Sequence, residues 1–330
     1  MGDYDQGIAA GQRALALATA SGDVVLRTLM NQYLGYAYQA HGDYRRAIDC
    51  LRQAVAFFDG VRRRERFGAA FLPAVSSRIH LAQCHAELGT FAEGRALGDE
   101  GLRVAEEVAD LGSLMWAYHG IGLLSLRQGD LYRALPLLER AVSLCQDADL
   151  PFYFPLMASA LSAAYTLGGH VADAVPLCTQ VLEQMTATAR PVYEEVLCRL
   201  SLGEAQVLAG HLEEAHTLTE RTLALPRERQ ERGHQAYALR LLGDIAARRE
   251  PPESVPAEAY YRQALALAEE LGMRPLQAHC HRGLGTLYAT IGQQEQARAE
   301  LSAAIVLYRA MDMTFWLPQT EAALAQVEGQ

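Results

Sequence analysis

Residues 34–54 read LGYAYQAHGDYRRAIDCLRQA, and the placing of small residues in this stretch decides the fold. A helix carrying Leu34, Gly35 and Tyr38 runs up to Gly42. Glycine can adopt the positive φ that turns a chain sharply. Asp43-Tyr44 follows at once, and Ala47, Leu51 and Ala54 recur at the spacing of one helix face. Gly35 and Ala47 allow two antiparallel helices to approach closely. The segment is therefore a helical hairpin.

The pattern repeats along the chain. Gly122 precedes Gly129-Asp130-Leu131-Tyr132, Ala134, Leu138 and Ala141. Ser162 and Tyr165 precede Gly169-His170, Ala174 and Cys178. Leu202-Gly203 precedes Gly210-His211-Leu212 and Ala215, and Leu284-Gly285 and Tyr288 precede Gly292, Ala297, Leu301 and Ala304. Weaker copies surround Ala82, Gly89 and Phe91, and Leu242-Gly243 before Pro251-Pro252. With Gly2, Gly42, Gly89, Gly129, Gly169, Gly210, Ser254 and Gly292 taken as equivalent, the spacings are 40, 47, 40, 40, 41, 44 and 38 residues. One hairpin cannot bury its apolar stripe alone, so the units must stack. The expectation is an all-α, right-handed superhelical solenoid of antiparallel helix pairs with about 16 helices, forming a single domain over 1–330. Within it, 1–18 would be the second helix of an incomplete first repeat, 24–309 seven hairpins, and 313–328 a capping helix. Entry in mid-repeat suggests a segment of a larger protein, or a first helix that packs on another chain.

Half of the 330 residues are apolar and 21% are charged, which excludes disorder. The formal charge of -10 argues against nonspecific nucleic-acid binding, and all 29 basic side chains are arginine. No apolar run approaches the ~20 residues of a membrane span, and the acidic N-terminus lacks the features of a secretory signal. Cys50, Cys84, Cys145, Cys178, Cys198 and Cys280 are scattered, with no CxxC pair. They read as small buried thiols in a reducing, cytoplasmic setting.

The small-residue spacing and Gly-Asp-Tyr turns resemble the tetratricopeptide repeat family, with units longer than usual. Toward the C-terminus, Gly272-Met273-Arg274-Pro275-Leu276, Ala278-His279-Cys280-His281, Leu284-Gly285-Thr286-Leu287-Tyr288 and Phe315-Trp316-Leu317-Pro318 are similar to the helical region of bacterial multidomain proteins. Those proteins join a nucleotide cyclase domain, a STAND-type ATPase module and helical repeats; activators similar to the maltose regulator carry related arrays. The resemblance implies a regulatory region that senses a protein, peptide or small ligand and restrains an upstream cyclase or ATPase module. No GxxxxGK[ST] phosphate loop is present.

In such an array the first helices of each pair line a concave face. Extending the register from the small residues nominates Gln32, Tyr36, Gln83, Trp116, His119, Ser159, Glu204, Arg240, Asp244, His279 and Arg282 as groove residues. Tyr and Trp supply rigid apolar contact; His, Arg and Asp orient a ligand. The ordinary alternative for each is packing or groove surface. The Lys-Asn-Arg clamp of peptide-tail-binding members is not reproduced: Tyr36, Gln83, Leu123, Ala163, Glu204, Asp244 and Thr286 stand at the Asn register. Arg62, Arg63, Arg64 and Arg66 form a basic run that could meet an acidic partner, or simply be a solvated helix start.

His279-Cys280-His281 and Cys84-His85 hold ligand-type residues, but helix neighbours point about 100° apart, and neither cluster offers four ligands. No metal site is expected. Glu106-Glu107, Glu194-Glu195 and Glu269-Glu270 are adjacent acids rather than opposed carboxylates. The expectation is a non-enzymatic interaction and regulatory scaffold without a cofactor. A small-molecule sensor and a self-associating homo-oligomer are the alternatives.

Overall fold

A computed structural model describes residues 4–188 and 194–329; Gly2, the first of the equivalent turn points, lies outside the described residues, as does the side chain of Glu194. Among the described residues there are sixteen α-helices and no strand. The first, α1 (Tyr4–Ala20), is followed by antiparallel pairs: α2 (Val24–His41) with α3 (Tyr44–Phe57), α4 (Pro73–Leu88) with α5 (Phe91–Val108), and α6 (Leu111–Gln128) with α7 (Leu131–Asp147). Then come α8 (Phe154–Leu167) with α9 (Val171–Thr188), α10 (Glu194–Ala209) with α11 (Leu212–Arg229), and α12 (Arg232–Arg248) with α13 (Ser254–Leu271). The array ends with α14 (Arg274–Thr290), α15 (Gln294–Ala310) and α16 (Leu317–Glu328). The result is a tetratricopeptide-like solenoid.

The Gly-Asp dipeptide builds the hairpin turn in two steps. Gly42 sits at φ 99°, and its N–H donates back to the carbonyls of Tyr38 and Gln39, closing α2. Asp43 then caps α3, its carboxylate accepting from the Arg46 N–H at 3.2 Å. Gly129 at φ 87° and Asp130, which accepts from the Arg133 N–H at 3.1 Å, repeat the device between α6 and α7.

Close approach inside each pair follows a constant offset. A Cβ on Gly35 would stand 2.5 Å from Leu51 Cγ, one on Gly122 2.7 Å from Leu138, and one on Gly285 2.7 Å from Leu301. Each glycine thus receives the leucine sixteen positions later. Gly243 instead receives the ring of Tyr261, two positions further on than that offset.

The solenoid winds far enough for its ends to meet. Gly42 approaches Gly233 at the start of α12, Gly89 approaches Met311 and Pro275 beside the start of α14, and Gly129 approaches Phe315 and Trp316 before α16. Each of these three hairpin turns therefore packs on the helix start five pairs further along. One buried apolar cluster accordingly joins Leu34, Tyr44, Leu51 and Leu81 to Leu239, Tyr261, Leu284 and Leu301. A second joins Phe91 and Leu124 to Tyr308, Met311, Met313 and Trp316. The first helices of the pairs face inward, so closure turns an open groove into an axial channel.

Candidate ligand channel

Three neighbouring cavities with shared wall residues lie among the inner helices. The upper chamber, of about 390 Å³, is lined by Tyr36, Gln39, His80, Gln83, Trp116 and His119, among others. A narrow passage of about 60 Å³ lies between Leu123, Leu156, Leu197 and Leu200. The lower chamber, of about 350 Å³, is bounded by Glu204, Arg240, Asp244, Arg248, His279 and Arg282. Arg127 and Tyr237 border all three.

That shared point is a polar bar across the closed superhelix. The Tyr237 O–H donates to Glu87 Oε2 at 2.6 Å, the Arg127 Nε–H donates to Glu87 Oε1 at 3.0 Å, and the Arg127 guanidinium lies 4.2 Å from the Tyr237 ring centre. Burial alone would weaken the Arg127 charge, but Tyr237, Glu87 and Glu204 outweigh it and hold the guanidinium firmly protonated. Burial raises the Tyr237 phenol well above its usual range, so it remains a donor. The bar ties α4, α6 and α12 together.

The upper chamber is aromatic and neutral in character. The Trp116 ring stacks on Phe71 with centres 5.5 Å apart, and its other neighbours include His80 at 5.5 Å and His119 at 5.8 Å. His80 Nδ1 meets Gln39 Oε1 at 2.6 Å, and Gln39 Nε2 in turn donates to Gln83 Oε1 at 3.0 Å. Desolvation pushes the imidazole of His80 down to about 3 and that of His119 to about 4, so both are uncharged near neutrality. Trp116 Nε1 and both ring nitrogens of His119 are buried with no hydrogen-bond partner.

The lower chamber is charged. Arg240 pairs with both Glu204 and Asp244, and the Tyr261 O–H donates to Asp244 Oδ1 at 2.6 Å. Burial opposes the Arg240 charge, but Asp244 and Glu204 more than restore it. Arg248 and Arg282 face the same space and make no ion pair with the described residues. The hydroxyl of Thr166, also in this wall, is buried and unpartnered.

Of the groove residues nominated from sequence, Tyr36, Gln83, Trp116 and His119 line the upper chamber. Ser159 borders the passage, its hydroxyl donating to the Pro155 carbonyl at 2.6 Å. Glu204, Arg240, Asp244, His279 and Arg282 line the lower chamber. Gln32 stands apart: its Nε2 donates to Ser76 Oγ at 3.1 Å and Ser77 Oγ at 2.9 Å, where α2 packs on α4. The arginine run lies outside the channel, on a 3-10 turn (Gly60–Arg64) and the loop after it. Arg62 covers the Phe57 ring, Arg63 pairs with Glu107 at 2.8 Å, Arg66 pairs with Asp110, and Arg64 is exposed. Sequence reasoning missed His80, Glu87, Arg127 and Tyr237. His80 and Glu87 flank Gln83 at helical spacing, and Arg127 lies one turn beyond Leu123, so a longer stripe contained them.

Among the described residues, no group of three or more His, Cys, Asp or Glu is placed to hold a metal ion. His281 turns away from His279, meeting Glu300 on α15 at 2.5 Å. No helix among those residues is long and apolar enough to cross a membrane.

Comparison with known proteins agrees with this architecture. Tetratricopeptide repeat models match residues 74–147 and 31–57. No curated protein matches the chain in sequence. Among solved structures, a Rap protein complexed with Competence and Sporulation Factor superposes with a TM-score of 0.68 at 14% identity, over 91% of this chain and 85% of that one. The Rap conjugation gene regulator of plasmid pLS20, in complex with the Phr* peptide, gives 0.66 at 13% identity, over 90% and 79%. A STAND protein of Pyrococcus horikoshii with a tetratricopeptide repeat sensor gives 0.54 at 15% identity, over 88% of this chain and 43% of that one. At these identities the likeness is one of fold.

Proposed function

We propose that the chain is a non-catalytic receptor that holds an extended oligopeptide along its axial channel. The carrying observation is the row of three cavities that share Arg127 and Tyr237 in their walls. The inner stripe of α12 runs from His234 in the upper chamber to Arg248 in the lower, a rise of about 21 Å at ~1.5 Å per residue. An extended peptide spans that length with about six residues. Two chambers with a narrow, leucine-rich space between them suit such a chain better than one compact molecule. Peptide complexes of the structurally similar Rap proteins support this reading.

Selection from a random octapeptide library on the purified chain, followed by calorimetry on a selected sequence, tests it. Leu123→Arg, which puts a charge into the passage, is expected to weaken binding at least a hundredfold while circular dichroism stays unchanged. Absence of enriched peptides, or binding indifferent to Leu123→Arg, would overturn the proposal.

The reading extends to a sensor role within a bacterial signalling protein, where a cyclase or ATPase module reads the state of the channel. The sensor-bearing STAND protein supports this. Sequencing the flanking genomic DNA tests it: neighbouring coding sequence for neither module would remove this extension and leave the receptor. A small-molecule reading draws on the upper chamber, whose volume falls in the range of small-ligand pockets. Binding of an isolated aromatic amino acid as tightly as any selected peptide would favour it.

A further inference from the structure

The fold brings two cysteines together, Cys178 on α9 and Cys198 on α10. Both are fully buried in one apolar cluster with Ala158, Val181, Met185 and Leu202. Cys198 Sγ lies 3.6 Å from the Cys178 carbonyl oxygen, and the two thiols stand within hydrogen-bonding reach of one another. Both are free thiols.

Their surroundings divide their roles. A buried thiol is ordinarily inert, because desolvation disfavours the thiolate that reacts. Desolvation is the leading cause that raises Cys50, Cys84, Cys145 and Cys280 above their ordinary value. Cys178 is lowered instead: the hydrogen bond from Cys198 favours its thiolate more than burial opposes it, and Ser162 assists. The same bond raises Cys198, and burial adds to it. Cys178 is therefore the thiol set to attack, with Cys198 beside it as the protonated partner. Neither side chain is exposed, which bars a bulky oxidant and leaves one the size of hydrogen peroxide.

We propose that hydrogen peroxide converts Cys178 and Cys198 into a reversible disulfide, and that this bond fixes the α10 wall of the channel. The Cys178 thiolate attacks one peroxide oxygen and becomes a sulfenic acid. The departing hydroxide takes up the proton that the thiol gave up, forming water. Cys198 sulfur then attacks the sulfenic sulfur, and its proton leaves with the hydroxyl as a second water. Two thiols and one peroxide thus give one disulfide and two waters, the sulfurs losing the two electrons that the O–O bond gains. The new bond holds the sulfurs ~2 Å apart. α10 carries Leu197, Leu200 and Ser201 to the narrow passage and Glu204 to the lower chamber, whereas no described residue of α9 lines the three cavities. The disulfide therefore ties a channel wall to the outer layer of the solenoid, whatever ligand the channel takes.

Treatment of the full chain with a small molar excess of hydrogen peroxide tests this. Alkylation in denaturant and mass spectrometry of unreduced peptides map the bridge. Free thiols should fall from six to four, with Cys178 and Cys198 joined in most chains and released by dithiothreitol. Amide hydrogens of α10 should exchange at least tenfold more slowly in the bridged chain. Cys198→Ser keeps a hydrogen-bond donor but removes the second sulfur, and should stop at a Cys178 sulfenic acid that dimedone traps. The first two measurements use the unaltered chain, so they decide the matter even where the variant fails to fold. A bridge between other cysteines, oxidation of half-buried Cys50 ahead of Cys178, or six thiols left free would overturn the disulfide. Unchanged exchange in the bridged chain would overturn its role as a brace. Either failure leaves the peptide receptor standing.

Discussion

At Gly35 a single missing Cβ decides whether a hairpin closes, because Leu51 occupies the space that the side chain would need. Leu51 is fully buried and has nowhere to retreat. Gly35→Ala should therefore cost about 1–3 kcal/mol through overpacking, despite alanine's better helix propensity. Gly7 in α1 has no atom near its Cβ position, and Gly7→Ala should instead stabilise by about 0.5–1 kcal/mol. Urea denaturation of the two variants checks the opposite signs; equal shifts would refute the packing argument. His80 and His119 act at the same scale. Unfolded, each takes up a proton near pH 6.5, whereas folded they do so only near 3 and 4. Between those values the unfolded state binds more protons, so these two residues make stability fall as pH drops from about 6.5 toward 4. The limiting slope is about 1.4 kcal/mol per pH unit for each. His80→Gln with His119→Gln should flatten that limb of a stability–pH curve; an unaltered limb would show that they do not contribute.

Between elements, the bar joining α4, α6 and α12 is the contact that makes a groove into a channel. Removing Glu87 strands the half-buried Arg127 guanidinium and deprives Tyr237 of its acceptor. Glu87→Ala should cost about 1.5–3 kcal/mol. In a double-mutant cycle, Glu87→Ala and Tyr237→Phe should couple by about 1 kcal/mol or more. Additive effects would mean that the two do not interact. The sequence showed one side of this arrangement and not the other. Of the seven residues in equivalent register, Tyr36, Gln83, Leu123, Ala163, Glu204 and Asp244 border the channel, whereas Thr286 is exposed and lines none of the chambers. Gln32 lies on the same helix as Tyr36, yet it faces the start of α4, because helix rotation at the packed interface is set by partners rather than by spacing. The bar was illegible because Glu87 and Tyr237 are 150 positions apart. Their meeting depends on the accumulated rotation of four hairpins, which no local pattern encodes.

For the whole molecule, closure changes how the solenoid should unfold. An open array contacts only its nearest neighbours and can melt repeat by repeat. Here one core unites Leu34 and Leu51 with Leu239 and Leu301, and another unites Leu124 with Trp316. Loss of either end removes packing from the other. Trp116 and Trp316 are the only tryptophans, so Trp316→Phe and Trp116→Phe each leave one reporter. In each variant, its emission and the far-ultraviolet dichroism should give the same urea midpoint. Separate midpoints would show that the ends melt independently.

The Trp316→Phe chain also provides the most direct test of the receptor itself, since Trp116 then reports alone from the upper chamber. Titration with a library-selected peptide should shift or quench Trp116 emission with the dissociation constant that calorimetry gives. Calorimetric binding that leaves the Trp116 emission unchanged would place the ligand elsewhere and contradict the axial channel as the binding site.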